Sequence, residues 1–156
     1  MKYLGGRRFG AAAGLPPGAE RYAYLLLILS SALSLFAFAP QTINDGVYTR
    51  EQAERGAMLY AAQCASCHGI VLTGGESAPA LTGGDFMSNW STLTLGDLFD
   101  RIRTTMPGDK PGTLTRAQTS DVLAHILAVG EFPPGKTELS TQTEFLKQIR
   151  IEAAHK

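Results

Sequence analysis

The chain has two cysteines, and they stand three residues apart with a histidine directly behind them: Cys64-Ala65-Ser66-Cys67-His68-Gly69. Chance would place C-x-x-C-H in a chain of this composition at a rate of roughly 5 in 10,000. Thiols at this spacing lie on one side of a helical turn. They can add to two vinyl groups on one edge of a haem, and the adjacent imidazole then supplies an axial nitrogen to the iron. The pattern is the attachment site of c-type haem. Three other chemistries use paired thiols. A thioredoxin-type redox pair sits where a strand meets a helix in a β/α alternation, and no such alternation surrounds Cys64. A structural zinc site needs four ligands. No second cysteine pair exists, and His125 and His155 are the only other histidines. A plain structural disulfide is the remaining alternative.

Haem iron has a second axial position. Besides Met1, the methionines are Met58, Met87 and Met106. Met58 lies in the run that leads into the motif, too close in sequence to reach the opposite face. Met106 stands in Thr-Thr-Met-Pro-Gly-Asp-Lys-Pro-Gly. Pro107 ends a helix there, and the Gly/Pro-rich loop can present a side chain inward. Met106 is the expected second ligand; Met87 is the alternative, its other role being core packing or an exposed loop. A thioether is a soft ligand that favours reduced iron, so a His68/Met106 pair would raise the reduction potential relative to two histidines. With both axial positions filled, no open site remains for a substrate.

Three capped helices are expected to hold these residues. Thr49-x-x-Gln52 is a capping box that starts a helix at Arg50, running to about Gln63 and delivering Cys64. Thr94-x-x-Asp97 starts a second, through about Thr105, with Leu95, Leu98, Phe99 and Ile102 on its apolar face. Thr115-x-x-Gln118 starts a third, from Arg116 to Val129, with Gly130 as its C′ residue and Val122, Leu123, Ile126 and Leu127 as its buried stripe. The stretch from Gly69 to Trp90 has no regular period and reads as a loop. After the turn Phe132-Pro133-Pro134-Gly135, Thr141-x-x-Glu144 is expected to cap a short final helix bearing Phe145, Leu146 and Ile149.

In these motifs the chain resembles a class I c-type cytochrome from about Asp45 to about Gly135. That resemblance implies an all-α cytochrome c fold with three core helices around one covalently attached haem c. It implies that Gly56 lets the last core helix cross closely, with Tyr60 nearby. It implies that the Pro79 carbonyl accepts a hydrogen bond from His68, and that Leu81 packs on the haem. The Trp90 indole is expected either at a haem propionate or in ordinary core packing. His125 departs from the family, where an aromatic usually stands. The run Met-Pro-Gly-Asp-Lys-Pro-Gly-Thr-Leu, followed by Phe-Pro-Pro-Gly-Lys-Thr-Glu-Leu, is similar to cytochromes found with pyrroloquinoline-quinone-dependent sugar and alcohol dehydrogenases.

The rest of the composition fits an exported electron carrier. The 156 residues weigh 16.7 kDa and hold 14 basic and 14 acidic side chains. Zero net charge excludes a strongly basic nucleic-acid binder. A charged fraction of 18% with 44% hydrophobic residues excludes a mainly disordered chain. The neutral total is uneven: Lys2, Arg7, Arg8 and Arg21 against Glu20 give residues 1–40 a net +3, which leaves −3 for residues 41–156. Between Arg21 and Asp45 no residue is charged, and Ala23–Ala39 is almost wholly apolar. A basic flank before an apolar run is the order of a signal peptide or an N-in membrane helix. Ala37-Phe38-Ala39 has the small-x-small form of a cleavage site, but Pro40 follows it and hinders cleavage. Residues 1–40 are therefore expected to be a signal peptide or a membrane anchor, with a tether through residues 22–40 if uncleaved. Residues 41–156 are expected to be the cytochrome domain, with a core at 45–135 and a C-terminal extension at 136–156.

The functional expectation is a periplasmic, monohaem electron carrier between a dehydrogenase, such as a pyrroloquinoline-quinone-dependent one, and a respiratory acceptor such as a terminal oxidase. A fixed haem subunit of a membrane dehydrogenase complex is the first alternative. A haem-based sensor or peroxidase is the second, and would require Met106 off the iron. Arg101, Arg103, Lys110 and Arg116 cluster in sequence near the Met106 loop and are expected to form a positive docking patch or to be scattered over solvated surface.

Overall fold

In the computed structural model, residues 41–153 are described; residues 1–40 and 154–156 lie outside them. The expected signal or anchor segment therefore falls outside the described residues. Among those described, no helix is long and apolar enough to cross a membrane.

The elements follow the caps. Helix α1 spans Arg50–Gln63, and the Thr49 hydroxyl accepts from the Gln52 N–H at its start. Only half of the expected capping box forms, because the Gln52 side chain has been taken elsewhere. It is buried, receives the Leu139 N–H at 2.7 Å and donates to the Leu139 carbonyl at 3.3 Å. A one-turn helix, α2, spans Ala65–His68. Helix α3 spans Gly83–Trp90, inside the stretch read as a loop. Its two leading glycines hide it from propensity, yet Phe86 and Trp90, one turn apart, stack with ring centroids 6.4 Å apart. Helix α4, Leu95–Thr105, and helix α5, Arg116–Val129, each carry both halves of the capping box.

The end of α5 differs from expectation. Gly130 keeps a right-handed φ of −73°, and Glu131 takes the left-handed position with φ 62°. A Cβ on Gly130 would fit tightly, 3.0 Å from the Phe132 ring and 3.2 Å from the Ile126 carbonyl oxygen. The final helix, α6, spans Thr143–Leu146 and starts at Gln142 without a side-chain cap. Thr141 does not cap it, because the N-cap position falls on Gln142; the Thr141 carbonyl accepts from Arg116 Nε at 2.7 Å. Thr143 donates its hydroxyl to Asp100 at 2.9 Å. The fold is mostly helical rather than wholly so. Strand β1, Gln41–Thr42, pairs in parallel with β2, Ile149–Arg150, in the register Gln41 to Ile149. A two-residue strand is too short to show a period of two in the sequence.

The core is centred where α1 crosses α5. A Cβ on Gly56 would lie 1.8 Å from the Asp121 carbonyl oxygen, so only glycine lets the two helices approach this closely. Tyr60, Ala53, Val122, Leu123 and Ile126 are buried around this crossing. The C-terminal extension is part of the same core: Leu139, Leu146, Ile149 and Ile151 are all buried. Residues 136–151 thus close one side of the domain rather than trailing from it.

Candidate functional site

A cavity of about 740 Å3 opens beside the crossing and contains the C-x-x-C-H motif. Cofactor sites fall in the range of roughly 300–1,000 Å3. Cys64, Cys67 and His68 all line it. The end of α1 positions them. The Cys64 N–H closes α1 on the Tyr60 carbonyl at 2.9 Å, and the chain then turns at once into α2. Neither cysteine is in a disulfide; Cys64 is half-buried and Cys67 exposed. Burial, with a smaller contribution from neighbouring Cys67, pushes the Cys64 thiol up to about 11.

His68 is buried, and its Nδ1 lies 2.9 Å from the Pro79 carbonyl oxygen. A carbonyl can only accept, so this contact puts the proton on Nδ1 and leaves the Nε2 lone pair available to a metal. The backbone around the motif is held on both sides. The Tyr60 hydroxyl donates to the Gly69 carbonyl at 2.7 Å, and the Gly74 N–H donates to the His68 carbonyl at 2.9 Å. Leu72 follows in a left-handed conformation, φ 60°, fully buried, with its carbonyl accepting the Leu81 N–H at 2.8 Å. That turn is strained for a leucine, and it brings the Pro79–Leu81 segment back against the motif.

Met106 lines the same cavity. It ends α4 in an extended conformation, with its N–H on the Ile102 carbonyl at 2.9 Å, and Pro107 and Gly108 continue the wall. The other two candidate methionines do not line it. Met58 is 69% exposed on α1, and Met87 packs part-buried against the core. Pro79, Leu81 and Trp90 all line the cavity, and Trp90 also stacks on Phe86.

The sequence reading missed much of the wall. Leu98 and Ile102 of α4 and Val122 and Ile126 of α5 face the cavity. Each pair is spaced by four on a stripe read simply as core; only the placement of the cavity divides lining from filling. The four cations near the Met106 loop do not act as one group. Arg101 and Lys110 line the cavity mouth. Arg116 instead lies over the Phe99 ring at 5.2 Å and holds Thr141 and Thr143. Arg103 is half-buried, and its Nε has no partner among the described residues. Of the four, Arg116 is tied to the C-terminal extension, while Arg101 and Lys110 line the cavity.

His125 has the place foreseen for it. Its ring stands 5.2 Å from that of Tyr60 at the helix crossing, and burial holds its pKa below the usual histidine range.

The donor set and the cavity fit a haem: two thiols on one turn, an imidazole with its second nitrogen fixed by a carbonyl, a thioether, and apolar walls. The family described as cytochrome c oxidase, cbb3-type, subunit III matches residues 51–126. That match covers just under half of the chain and marks residues 51–126 as similar to a c-type cytochrome domain. Such a domain implies haem c and electron transfer. The crystal structure of the sulfane dehydrogenase SoxCD from Paracoccus pantotrophus is similar in fold. It aligns with a TM-score of 0.50 and 24% identity, over 73% of this chain and 61% of that one. The chain thus spans under two thirds of the length of the chain it resembles. No curated protein matches it.

Proposed function

We propose that the protein is an exported monohaem cytochrome c that carries single electrons from a dehydrogenase to a respiratory acceptor. In this reading haem c is joined through thioether bonds to Cys64 and Cys67, and its iron is held by His68 and Met106. The observation that carries it is the convergence of all four side chains on one cavity, with the His68 Nδ1 already committed to Pro79. When bound, the haem supplies a reversible one-electron couple. The chain's own residues do the rest. The Pro79 carbonyl orients the His68 ring and strengthens it as a ligand. The apolar side chains of Leu81, Leu98, Ile102, Val122 and Ile126 keep water from the cavity. Two filled axial positions leave no place for a substrate, so the domain is a carrier rather than an enzyme. The basic leader and apolar run support a periplasmic location, reached by signal cleavage or by a tether through residues 22–40. The run around Met106 supports a quinoprotein dehydrogenase as donor, and a terminal oxidase is the matching class of acceptor. Zero net charge argues against a nucleic-acid partner.

A second reading is a fixed haem subunit of a membrane complex. The matched family, described as an oxidase subunit, favours it. Stoichiometric co-purification with other chains distinguishes that subunit from a free carrier.

The test is the absorption spectrum of the purified protein in both redox states. A low-spin His/Met haem shows, when oxidised, a weak sulfur-to-iron band near the red edge of the visible range. Met106→Ala abolishes that band and Met87→Ala preserves it; the reverse result overturns the ligand assignment.

A further inference from the structure

Tyr60 and His125 join two openings in the molecule. Tyr60 lines the large cavity. The His125 ring, 5.2 Å away, lines a second cleft of about 420 Å3 on the outside of the crossing, between the start of α1 and the end of α5. Tyr48, Arg50, Glu54, Glu131 and Phe132 share that cleft. His125 is thus one aromatic ring away from the redox site on one side and open to solvent on the other. It is the single histidine among the described residues besides the proposed ligand His68.

We propose that His125 is a proton site coupled to the redox centre, with this outer cleft as its proton port, so that the reduction potential rises when His125 takes up a proton. The inference rests on the haem reading above. Oxidised iron carries one positive charge more than reduced iron. A cationic imidazole near the cavity opposes that extra charge and favours the reduced state. By linkage, the reduced protein binds the His125 proton more tightly than the oxidised protein. In the pH range between the two affinities the step is balanced: one electron comes from the donor, and one proton moves from water to a His125 ring nitrogen.

The surroundings make the group sensitive rather than fixed. Arg50 faces the cleft from α1 and opposes the proton; Glu54 from α1 and Glu131 from the turn after α5 favour it. Tyr48 and Tyr60 stay neutral, since burial raises both phenols. Asp121, one turn before His125 on α5, is already paired with Arg55 at 3.0 Å, and Arg55 also holds Glu138. Burial shifts His125 below 6.5, so the titration falls on the acid side of neutrality.

The experiment is potentiometry of the haem-loaded protein across the pH range, on the native chain and on His125→Gln. A charge one ring from the cavity is expected to make proton binding roughly tenfold tighter in the reduced state, which is about 59 mV in total for a one-electron couple. The native potential should climb by that order on acidification below about pH 6.5, and His125→Gln should lose the climb while keeping its spectrum. A native potential flat across that range overturns the proposal, as does a slope that survives in His125→Gln. If the variant fails to fold, NMR titration of the His125 ring in the oxidised and reduced native protein decides: equal affinities overturn the coupling. A purified protein without a haem spectrum refutes the proposed function itself, whereas a flat potential in a haem-bearing protein refutes only the coupling.

Discussion

Gly56→Ala adds one methyl group at the tightest point of the molecule. Its carbon would lie 1.8 Å from the Asp121 carbonyl oxygen and 3.0 Å from the His125 Cβ. Ordinary contact begins at 3.4 Å, so α1 and α5 must part by about 1.6 Å. The obstructing atom is helix backbone and cannot rotate away. Overpacking of this kind costs about 1–3 kcal/mol, and a backbone clash sits at the upper end. Parting the helices also exposes apolar area around Tyr60, Val122 and Ile126, adding about 1 kcal/mol for some 40 Å2. Alanine returns about 1 kcal/mol through its better helix propensity. The net expectation is a loss of about 3 kcal/mol, a fall in Tm of roughly 10–20 °C for a domain of this size. Thermal unfolding followed by far-UV circular dichroism measures it. Gly84→Ala is the control, because it is also helical and its Cβ would meet nothing within 4 Å; its stability should change by less than about 1 kcal/mol. If Gly56→Ala is as stable as the native protein, the close crossing is not what Gly56 provides.

Gln52→Ala removes the buried side chain that receives the Leu139 N–H and donates to the Leu139 carbonyl. The unpaired backbone groups and lost packing should cost about 2–3 kcal/mol, and amide exchange should quicken first around residues 139–151. Stability should also depend on pH through His125. Its folded pKa lies below the 6.5 of the unfolded chain, so the unfolded state binds the proton first on acidification. The histidine's contribution is therefore complete above about pH 6.5 and falls as pH drops from there toward the folded pKa. Chemical denaturation of the native protein should show that fall, and His125→Gln should show less of it.

The sequence carried the helices that begin with a side-chain cap, because a hydroxyl three residues before an acid or amide is a local signal. Arg50–Gln63, Leu95–Thr105 and Arg116–Val129 are where the caps put them. It did not carry what is decided at long range. Gln52 abandons its cap for Leu139, 87 residues away. Arg116, half-buried, lies over Phe99 and holds the chain at Thr141. Helix α3 lacks a side-chain cap and opens with two glycines, so packing of Phe86 and Trp90 has to make it. The site shows the same division. The thiols, His68 and Met106 were marked by local motifs, and all line one cavity. Its apolar wall was legible as core but not as lining, since both have the same spacing.

The central claim is that one haem is bonded to this chain through Cys64 and Cys67. Mass spectrometry of the purified protein, denatured in acid and extracted with organic solvent, tests it most directly. The expected result is a chain heavier by one haem, with the added mass on the peptide containing Cys64 and Cys67 and absent from a Cys64→Ala, Cys67→Ala double variant. A chain that returns to its bare mass while the haem leaves with the solvent would contradict it.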